Sequence, residues 1–167
     1  MKLDAHQHFW KYSAEEYAWI NNEMHVLRRD HLPDELNALQ QPLGFDDSIA
    51  VQARQSLEEI RWLLELADAK SRIKGVVGWL DLCSNEIESQ LEDFAPHPKL
   101  VGLRHVLQDE PDDEFMLRPD FLNGLALLKN YDLAYDLLIF EKHLPVTLEL
   151  VKQFPHHTFV LNHIAKP

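Results

Sequence analysis

The stretch LDAHQHFW, residues 3–10, places two histidines two positions apart, directly after a short run that is typical of a β-strand. Side chains alternate between the two faces of an extended strand, so Asp4, His6 and His8 share one face. A pair of imidazoles at a strand end can bind a metal ion, transfer protons or pack within a core. The pattern of the remaining chain is needed to choose among these roles.

Short β-rich segments alternate with segments of helical periodicity along the chain. From Ser56 onward, for example, apolar residues at positions 57, 60, 63, 64 and 67 recur at the spacing of an amphipathic helix. Alternation of this kind predicts parallel βαβ units, with helices covering the sheet. Strands are predicted at about residues 2–6, 47–52, 74–80, 100–105, 133–138 and 158–163, and helices at about 33–44, 56–66, 85–94, 119–130 and 144–154.

Two α/β architectures fit this alternation, an open doubly wound sheet and a parallel (β/α) barrel of the TIM type. The open sheet would gain support from a glycine-rich phosphate loop after the first strand, and His-Gln-His stands there instead. In a barrel, functional groups collect at the carboxyl ends of the strands. All six predicted strands end in such groups, namely His6 and His8, Gln52, Trp79 and Asp81, Arg104 and His105, Asp136, and Asn162 and His163.

The length of the chain predicts an incomplete barrel. A whole barrel of this type has about 250 residues, whereas the 167 residues here provide about the first six of eight β/α units. We therefore expect one incomplete barrel domain over residues 1–167. Such a barrel is truncated, cleaved or partnered by another segment. An open six-stranded piece would expose parallel edges that need cover, and a homo-oligomer is one way to cover them.

Composition narrows the class of ligand. The chain has 46% hydrophobic residues and a formal net charge of -12, from 28 acidic and 16 basic residues. This balance argues against nucleic acid and anionic membranes as partners, and it favours a small-molecule substrate. The single cysteine, Cys83, has no partner for an internal disulfide. The sequence shows neither a signal-type segment nor an apolar run long enough to span a membrane, so we expect a cytoplasmic protein.

Five blocks of sequence, in this order, resemble the amidohydrolase-2 family. They are 4–10 (DAHQHFW), 29–33 (RDHLP), 75–82 (GVVGWLDL), 102–105 (GLRH) and 161–167 (LNHIAKP). Within that family the blocks are most similar to sugar-lactone hydrolases of the L-fuconolactonase and L-rhamnonolactonase kind. The resemblance covers the whole chain.

This resemblance implies a distorted (β/α)8 barrel that hydrolyses the ring ester of an aldonic-acid lactone with an activated water, in sugar breakdown. Family members carry a histidine pair on the first strand, matched by His6 and His8. They have an arginine after the fourth strand, matched by Arg104, and a histidine on the sixth, matched by His163. The family's general base is an aspartate on the eighth strand, which this sequence does not reach. Asn162 stands where many relatives have aspartate.

The chemistry of lactone opening assigns hypothetical roles to these residues. His6, His8 and His163 are the candidate catalytic residues, because imidazoles can polarise the carbonyl directly or through a metal. Arg104 is a candidate substrate-binding residue that supplies a fixed positive charge. The alternative roles are those of hydrogen-bonded core imidazoles and of an arginine in a rim salt bridge.

Two further substrate-binding candidates stand at strand ends. Asp136 is expected to bind sugar hydroxyls or to orient a histidine, and its alternative role is a helix N-terminal charge or a salt bridge. Trp79 is expected to stack on a sugar ring, and its alternative role is ordinary packing. His105 falls on the opposite face of its strand from Arg104, where packing against a helix is the simpler role.

Metal binding is a separate hypothesis for His6 and His8. They provide two ligands, whereas a zinc site needs three protein ligands and a water, or four ligands, and His163 is the candidate third. The sequence leaves open whether the protein has no obligatory cofactor or binds one divalent ion such as zinc. Two alternative functions also stay open: hydrolysis or decarboxylation of another carboxylated small molecule, and ligand binding by an inert fragment that lacks the C-terminal catalytic strand.

Overall fold

The computed structural model describes residues 2–167 and shows six parallel strands that alternate with helices. The strands are β1 (Leu3–Gln7), β2 (Asp47–Val51), β3 (Ile73–Gly78), β4 (Leu100–His105), β5 (Ala134–Leu137) and β6 (Phe159–Leu161). The α-helices within this range are α1 (Pro33–Gln40), α2 (Leu57–Ala69), α3 (Ile87–Phe94), α4 (Pro119–Leu127) and α5 (Leu144–Gln153).

The order of the strands in the sheet is the order in the chain, from β1 to β6, and each strand pairs in parallel with the next. A doubly wound sheet would reverse its strand order at a switch point. The unbroken order confirms the predicted TIM-type architecture, here as a partial barrel. β1 and β6 are the outer strands of this sheet, and their cover by an oligomer stays a prediction.

Local features of the sequence explain where three of the helices begin. Ser56 precedes α2, and its hydroxyl accepts a hydrogen bond from the Glu59 amide at 3.1 Å. Pro33 and Pro119 are the first residues of α1 and α4, where a missing amide proton costs nothing.

The first helix is shorter than expected. α1 ends at Gln40 rather than near Gly44, and a 3-10 turn over Gln41–Leu43 follows it. Pro42 lies inside this turn and has no amide proton to continue the α-helical hydrogen bonds. Gly44 then takes a left-handed backbone conformation (φ 73°) that ends the turn.

The main hydrophobic core lies between the sheet and the helices. Ala50, Val76 and Tyr135 contribute buried side chains from three strands. Because strands covered by helices bury apolar side chains against them, these positions account for the apolar character of the predicted strands. The helices contribute Ile60, Leu63, Leu91, Phe121, Leu125 and Leu150, all buried.

A second, smaller core organises residues 8–32, which we call the insertion loop. Trp10, Tyr17 and Ile20 are buried together there. An antiparallel bridge between Trp10 and His31 closes the loop, with backbone hydrogen bonds of 3.1 and 2.9 Å. The insertion loop is therefore a packed structure of its own, beside the ends of β1 and β2. Within residues 2–167 no helix is both long and apolar enough to cross a membrane.

A substitution at Gly124 tests how closely α4 packs against the segment that contains Leu82. The helix ends at Leu127, short of the predicted position near 130, and the backbone of Leu82 passes directly over Gly124. A Cβ at position 124 would lie 2.1 Å from the Leu82 carbonyl oxygen. We expect Gly124→Ala to lower the free energy of unfolding by about 1 to 3 kcal/mol, because overpacking outweighs the gain of about 1 kcal/mol in helix propensity.

The measurement is urea denaturation followed by circular dichroism. Asn123→Ala is the matched control, because Asn123 is exposed on the same helix and alanine there adds propensity without a clash. Equal or greater stability of Gly124→Ala relative to the parent chain would contradict the close approach of the two segments.

Candidate functional site

A cleft of about 450 Å³ lies at the carboxyl ends of the strands. His8, Gln52, Arg104 and His163 reach it from the ends of β1, β2, β4 and β6. This is the end of a barrel at which active sites are found. The other lining residues are Trp19, Met24, Ala53, Val106, Gln108, Asp109, Leu138 and Lys166.

The Arg104 guanidinium is the hub of the site. It is 4% exposed, and its Nη2 donates to the Gln52 carbonyl at 2.5 Å and to the Gln52 side-chain oxygen at 2.9 Å. Its Nη1 donates to the Asn162 side-chain oxygen at 3.1 Å and lies 3.3 Å from Nε2 of His6. One side chain thus ties together the ends of four strands, and its planar fork fits this set of acceptors in a way that an ammonium group does not.

The two histidines of the first strand face each other through their Nε2 atoms, which are 3.2 Å apart. Nδ1 of His8 lies 2.8 Å from the carbonyl oxygen of Val51. Because a carbonyl oxygen only accepts hydrogen bonds, Nδ1 carries the proton, and Nε2 of neutral His8 presents a lone pair. His6 Nε2 therefore lies between a lone pair on His8 and an N–H group on Arg104. It can donate a hydrogen bond to His8 or accept one from Arg104, but it cannot do both at once.

Both histidines are neutral at pH 7. Burial lowers the pKa of His6 to about 3, and the charges of Arg104 and of protonated His8 act in the same direction. Burial also lowers the pKa of His8 to about 4, with Arg104 acting in the same direction. The Arg104 guanidinium keeps its charge, although burial lowers its pKa to about 10. The site therefore combines one fixed cation with paired neutral imidazoles.

This geometry fits part of a zinc site. Two nitrogen ligands that each lie about 2.0 to 2.1 Å from a tetrahedral zinc ion are about 3.3 Å from each other. This distance is close to the separation of the Nε2 atoms of His6 and His8. The Val51 carbonyl holds the remote nitrogen of His8 in the way that metal-bound histidines are usually held. The expected third ligand is not in place, because within residues 2–167 no three histidine, cysteine, aspartate or glutamate residues form a metal-binding group. The His163 ring nevertheless packs on His6, with centroids 4.7 Å apart.

Asp136 lies behind the cleft rather than in its wall. It is 4% exposed and accepts a hydrogen bond from the Asn162 side-chain amide at 2.9 Å. The same Asn162 accepts from Arg104 through its oxygen, so an amide separates the carboxylate from the guanidinium. Burial raises the pKa of Asp136, against the effects of Asn162 and Arg104. The side chain of Asp136 therefore contacts Asn162, and the predicted roles of binding sugar hydroxyls or orienting a histidine stay predictions.

Trp79 does not line the cleft. Its indole N–H donates to Nδ1 of His105 at 3.2 Å, and Nε2 of His105 lies 2.6 Å from a carboxylate oxygen of Glu110. The His105 ring stacks on Phe115, with centroids 5.0 Å apart. His105 thus has the packing role expected for it, and the alternative role of Trp79, that of a structural residue, is the one that its contacts favour.

Sequence reasoning did not single out Trp19, Met24, Gln108 and Lys166, which line the cleft. They lie in loops, where no hydrophobic periodicity marks the direction of a side chain. The aromatic residues of the insertion loop were the available signal for Trp19.

Glu59 was also missed, and it shapes the cleft from behind. Its carboxylate is 2% exposed and accepts the amide protons of Ala53 at 3.1 Å and Arg54 at 3.0 Å. These amides directly follow Gln52, which binds Arg104. The sequence Ser56-x-x-Glu59 has the pattern of a helix capping box, but here the carboxylate holds the preceding loop. Burial raises the pKa of Glu59 to about 7.

Comparison with known proteins places this geometry among amidohydrolases. A family model described as amidohydrolase matches residues 3–167. An L-fucono-1,5-lactonase of Burkholderia multivorans is 43% identical over 100% of this chain, and one of Burkholderia ambifaria is 33% identical over 99%. The chain spans 56% and 57% of the lengths of these two relatives.

A solved structure shows the same fold. The crystal structure of an amidohydrolase from Burkholderia multivorans with bound zinc is 43% identical, with a TM-score of 0.95. It covers 100% of this chain, which corresponds to 59% of that protein. The six strands are thus matched within 59% of that structure.

The hub role of Arg104 predicts that lysine cannot replace it. Lysine keeps the charge but offers one donor centre in place of the planar fork, so it leaves acceptors on Gln52 and Asn162 without partners. We expect Arg104→Lys to lower the free energy of unfolding by about 2 to 4 kcal/mol in urea denaturation. Arg118→Lys is the matched control, because Arg118 pairs with Asp120 in solvent, and it should leave the midpoint unchanged. Equal effects of the two changes would refute the hub role.

Buried Glu59 predicts a pH dependence of stability. Its pKa in the folded chain, about 7, lies above the ordinary value of 4.5. Between pH 4.5 and 7 the folded state therefore binds more protons than the unfolded state does. The free energy of unfolding that Glu59 contributes therefore falls as the pH rises from 4.5 to 7, by about 3 kcal/mol. Glu59→Gln should remove this fall, measured as the difference between variant and parent in urea denaturation at each pH.

Glu58→Gln is the control for Glu59, because Glu58 is its exposed neighbour on the same helix. That variant should keep the fall between pH 4.5 and 7. A Glu59→Gln profile parallel to that of the parent chain would show that the buried carboxylate is ionised throughout.

Proposed function

Because the chain belongs to the amidohydrolase family, we propose that it acts in the hydrolysis of the ring ester of a sugar-acid lactone. The observation that carries this proposal is a cleft lined by the fixed guanidinium of Arg104 and the imidazoles of His8 and His163, with His6 in contact with Arg104 and His8. The curated relatives at 43% and 33% identity, both L-fucono-1,5-lactonases, support the same chemistry.

Hydrolysis begins when water adds to the lactone carbonyl and negative charge develops on the carbonyl oxygen. Arg104 supplies positive charge beside this oxygen, and its hydrogen bonds to Gln52 and Asn162 fix the guanidinium before the reaction. A charge that is already oriented in a partly buried site stabilises a developing anion without reorganisation. Arg104 is therefore the electrostatic residue of the proposed reaction.

Proton transfer falls to the histidines of the cleft. The attacking water must lose a proton, and the ring oxygen must gain one as the ester bond breaks and the hydroxy acid forms. His8 and His163 both line the cleft, and burial lowers the pKa of each. Neutral imidazoles can accept a proton and return it. His6 contacts Arg104 and His8, and in this proposal it orients both.

His6 and His8 are also the residues that would hold a divalent metal. A bound zinc ion would polarise the carbonyl and lower the pKa of its water. The Val51 carbonyl fixes the tautomer of His8 that leaves Nε2 free for such a ligand. Bound zinc in the relative from Burkholderia multivorans supports this assignment.

The polar lining favours a substrate with many hydroxyl groups. Gln108, Asp109 and Lys166 line the cleft with an amide, a carboxylate and an ammonium group, which together donate and accept hydrogen bonds. Sugar hydroxyls have the same dual capacity. A sugar lactone therefore fits the lining better than an apolar ester does.

The deciding experiment is a pH-indicator assay of the purified chain with L-fucono-1,5-lactone, L-rhamnono- and D-galactono-lactones. We expect acid release from at least one lactone, and His8→Asn should lower kcat/KM about 100-fold or more, because general acid–base and electrostatic groups contribute on this scale. Each assay is repeated after dialysis against a chelator and again after addition of zinc. Activity that falls with the chelator and returns with zinc would support the metal site.

His25→Asn is the matched control, because His25 is exposed in the insertion loop and does not line the cleft. It should retain the activity of the parent chain. If no lactone releases acid but calorimetry detects lactone binding, the chain binds the ligand without turnover and the proposal of hydrolysis fails.

A further inference from the structure

One wall of the cleft is aromatic and comes from the insertion loop. Trp19 lines the cleft beside Met24, and these side chains are 43% and 37% exposed. Among the cleft-lining residues of the described chain, Trp19 is the only tryptophan, tyrosine or phenylalanine. Aromatic side chains are typical of the walls of ligand pockets.

The insertion loop holds this indole in position. Trp10 packs edge to face against Trp19, with ring centroids 6.0 Å apart and planes at 83°. Trp10 itself is 5% exposed, and its indole N–H donates to the Arg29 carbonyl at 2.9 Å. The Tyr17 ring also packs against the Trp10 ring, with centroids 6.0 Å apart. Trp19 is therefore supported by a buried aromatic cluster, which lowers the entropy lost when a ligand packs on it.

The remaining lining supplies groups that complement an aromatic wall. Seven of the twelve lining residues carry polar or charged side chains, among them Gln52, Gln108 and Asp109. Lys166 donates to the side-chain oxygen of Gln108, which joins two of these polar groups. A sugar ring has C–H groups on its faces and hydroxyls around its edge, so it matches a cleft that combines an indole with amides and charges.

We infer that Trp19 is the platform on which the six-membered ring of the sugar lactone stacks, and that it determines affinity for this ring. The inference rests on the proposed lactone hydrolysis and adds the residue that recognises the substrate. It assigns to Trp19 the stacking role that the sequence suggested for Trp79, whose indole N–H is engaged with His105. The chemical step remains with Arg104 and the histidines, so Trp19 acts on binding.

The test measures binding separately from turnover. L-Fucose is the probe, because it has a six-membered sugar ring but no lactone carbonyl to hydrolyse. We expect Trp19→Ala to raise the Kd for L-fucose about tenfold and Trp19→Phe to keep it within about threefold, since phenylalanine retains an aromatic face. With L-fucono-1,5-lactone, Trp19→Ala should raise KM by a similar factor and leave kcat within about threefold.

Tryptophan fluorescence gives a signature that a purely structural role would not produce. L-Fucose should change the emission of the parent chain, and this change should disappear in Trp19→Phe although calorimetry still detects binding. Trp62→Phe is the matched control, because Trp62 packs against the main core and does not line the cleft. It should retain the emission change. Circular dichroism verifies that each variant is folded.

The outcomes separate this inference from the proposed reaction. Unchanged Kd and KM in Trp19→Ala, an emission change that persists in Trp19→Phe, or a parent chain that binds neither probe would each overturn the role of Trp19. If L-fucose binds in a Trp19-dependent way but no lactone is hydrolysed, the platform stands and the reaction fails. If lactone is hydrolysed with no dependence on Trp19, the reaction stands and the platform fails.

Discussion

A buried guanidinium that must find acceptors is the constraint on which this site depends. Arg104 lies at the end of β4, and removal of its charge from water is costly unless hydrogen bonds compensate for it. Gln52, Asn162 and His6 lie within hydrogen-bond distance of its Nη1 and Nη2 atoms, from the ends of three other strands. The hydrogen bonds that compensate for burial therefore also fix the relative positions of the strand ends. The geometry of the cleft thus depends on the same contacts as the packing of the strands.

The strands and helices follow from the sequence because periodicity and end signals act locally. The residues at strand ends were predictable for the same reason, since alternation within β1 and β4 decides which face His6 and Arg104 occupy. Trp19 and Glu59 were not predictable, because their directions depend on contacts outside their own local element. Trp19 packs on Trp10, and Glu59 accepts the amide protons of the loop before α2. The direction of Trp79 likewise depends on its tertiary partner, His105. Strand position identified the residues, and tertiary packing determined which of them face the cleft.

The histidine pair contains two contacts that compete for one nitrogen atom of His6. His6 cannot satisfy both His8 and Arg104 at once, and burial prevents protonation from relieving the conflict at neutral pH. Such an arrangement is stabilised by the surrounding structure, here by Val51 and the core behind it. A metal ion bound to the Nε2 atoms, or a proton accepted from a reacting water, would relieve the conflict.

Asn162 has a consequence for how molecules enter and leave. Because its amide separates Asp136 from Arg104, the guanidinium charge is not cancelled by direct contact with that carboxylate. The cleft then holds local positive charge within a chain of net charge -12. In the proposed reaction, the approach of a neutral lactone would not depend on the net charge of the chain. The carboxylate formed from it would be attracted to Arg104 but repelled by the net negative charge of the molecule. Departure of the product would therefore depend on ionic strength, and arrival of the substrate would not.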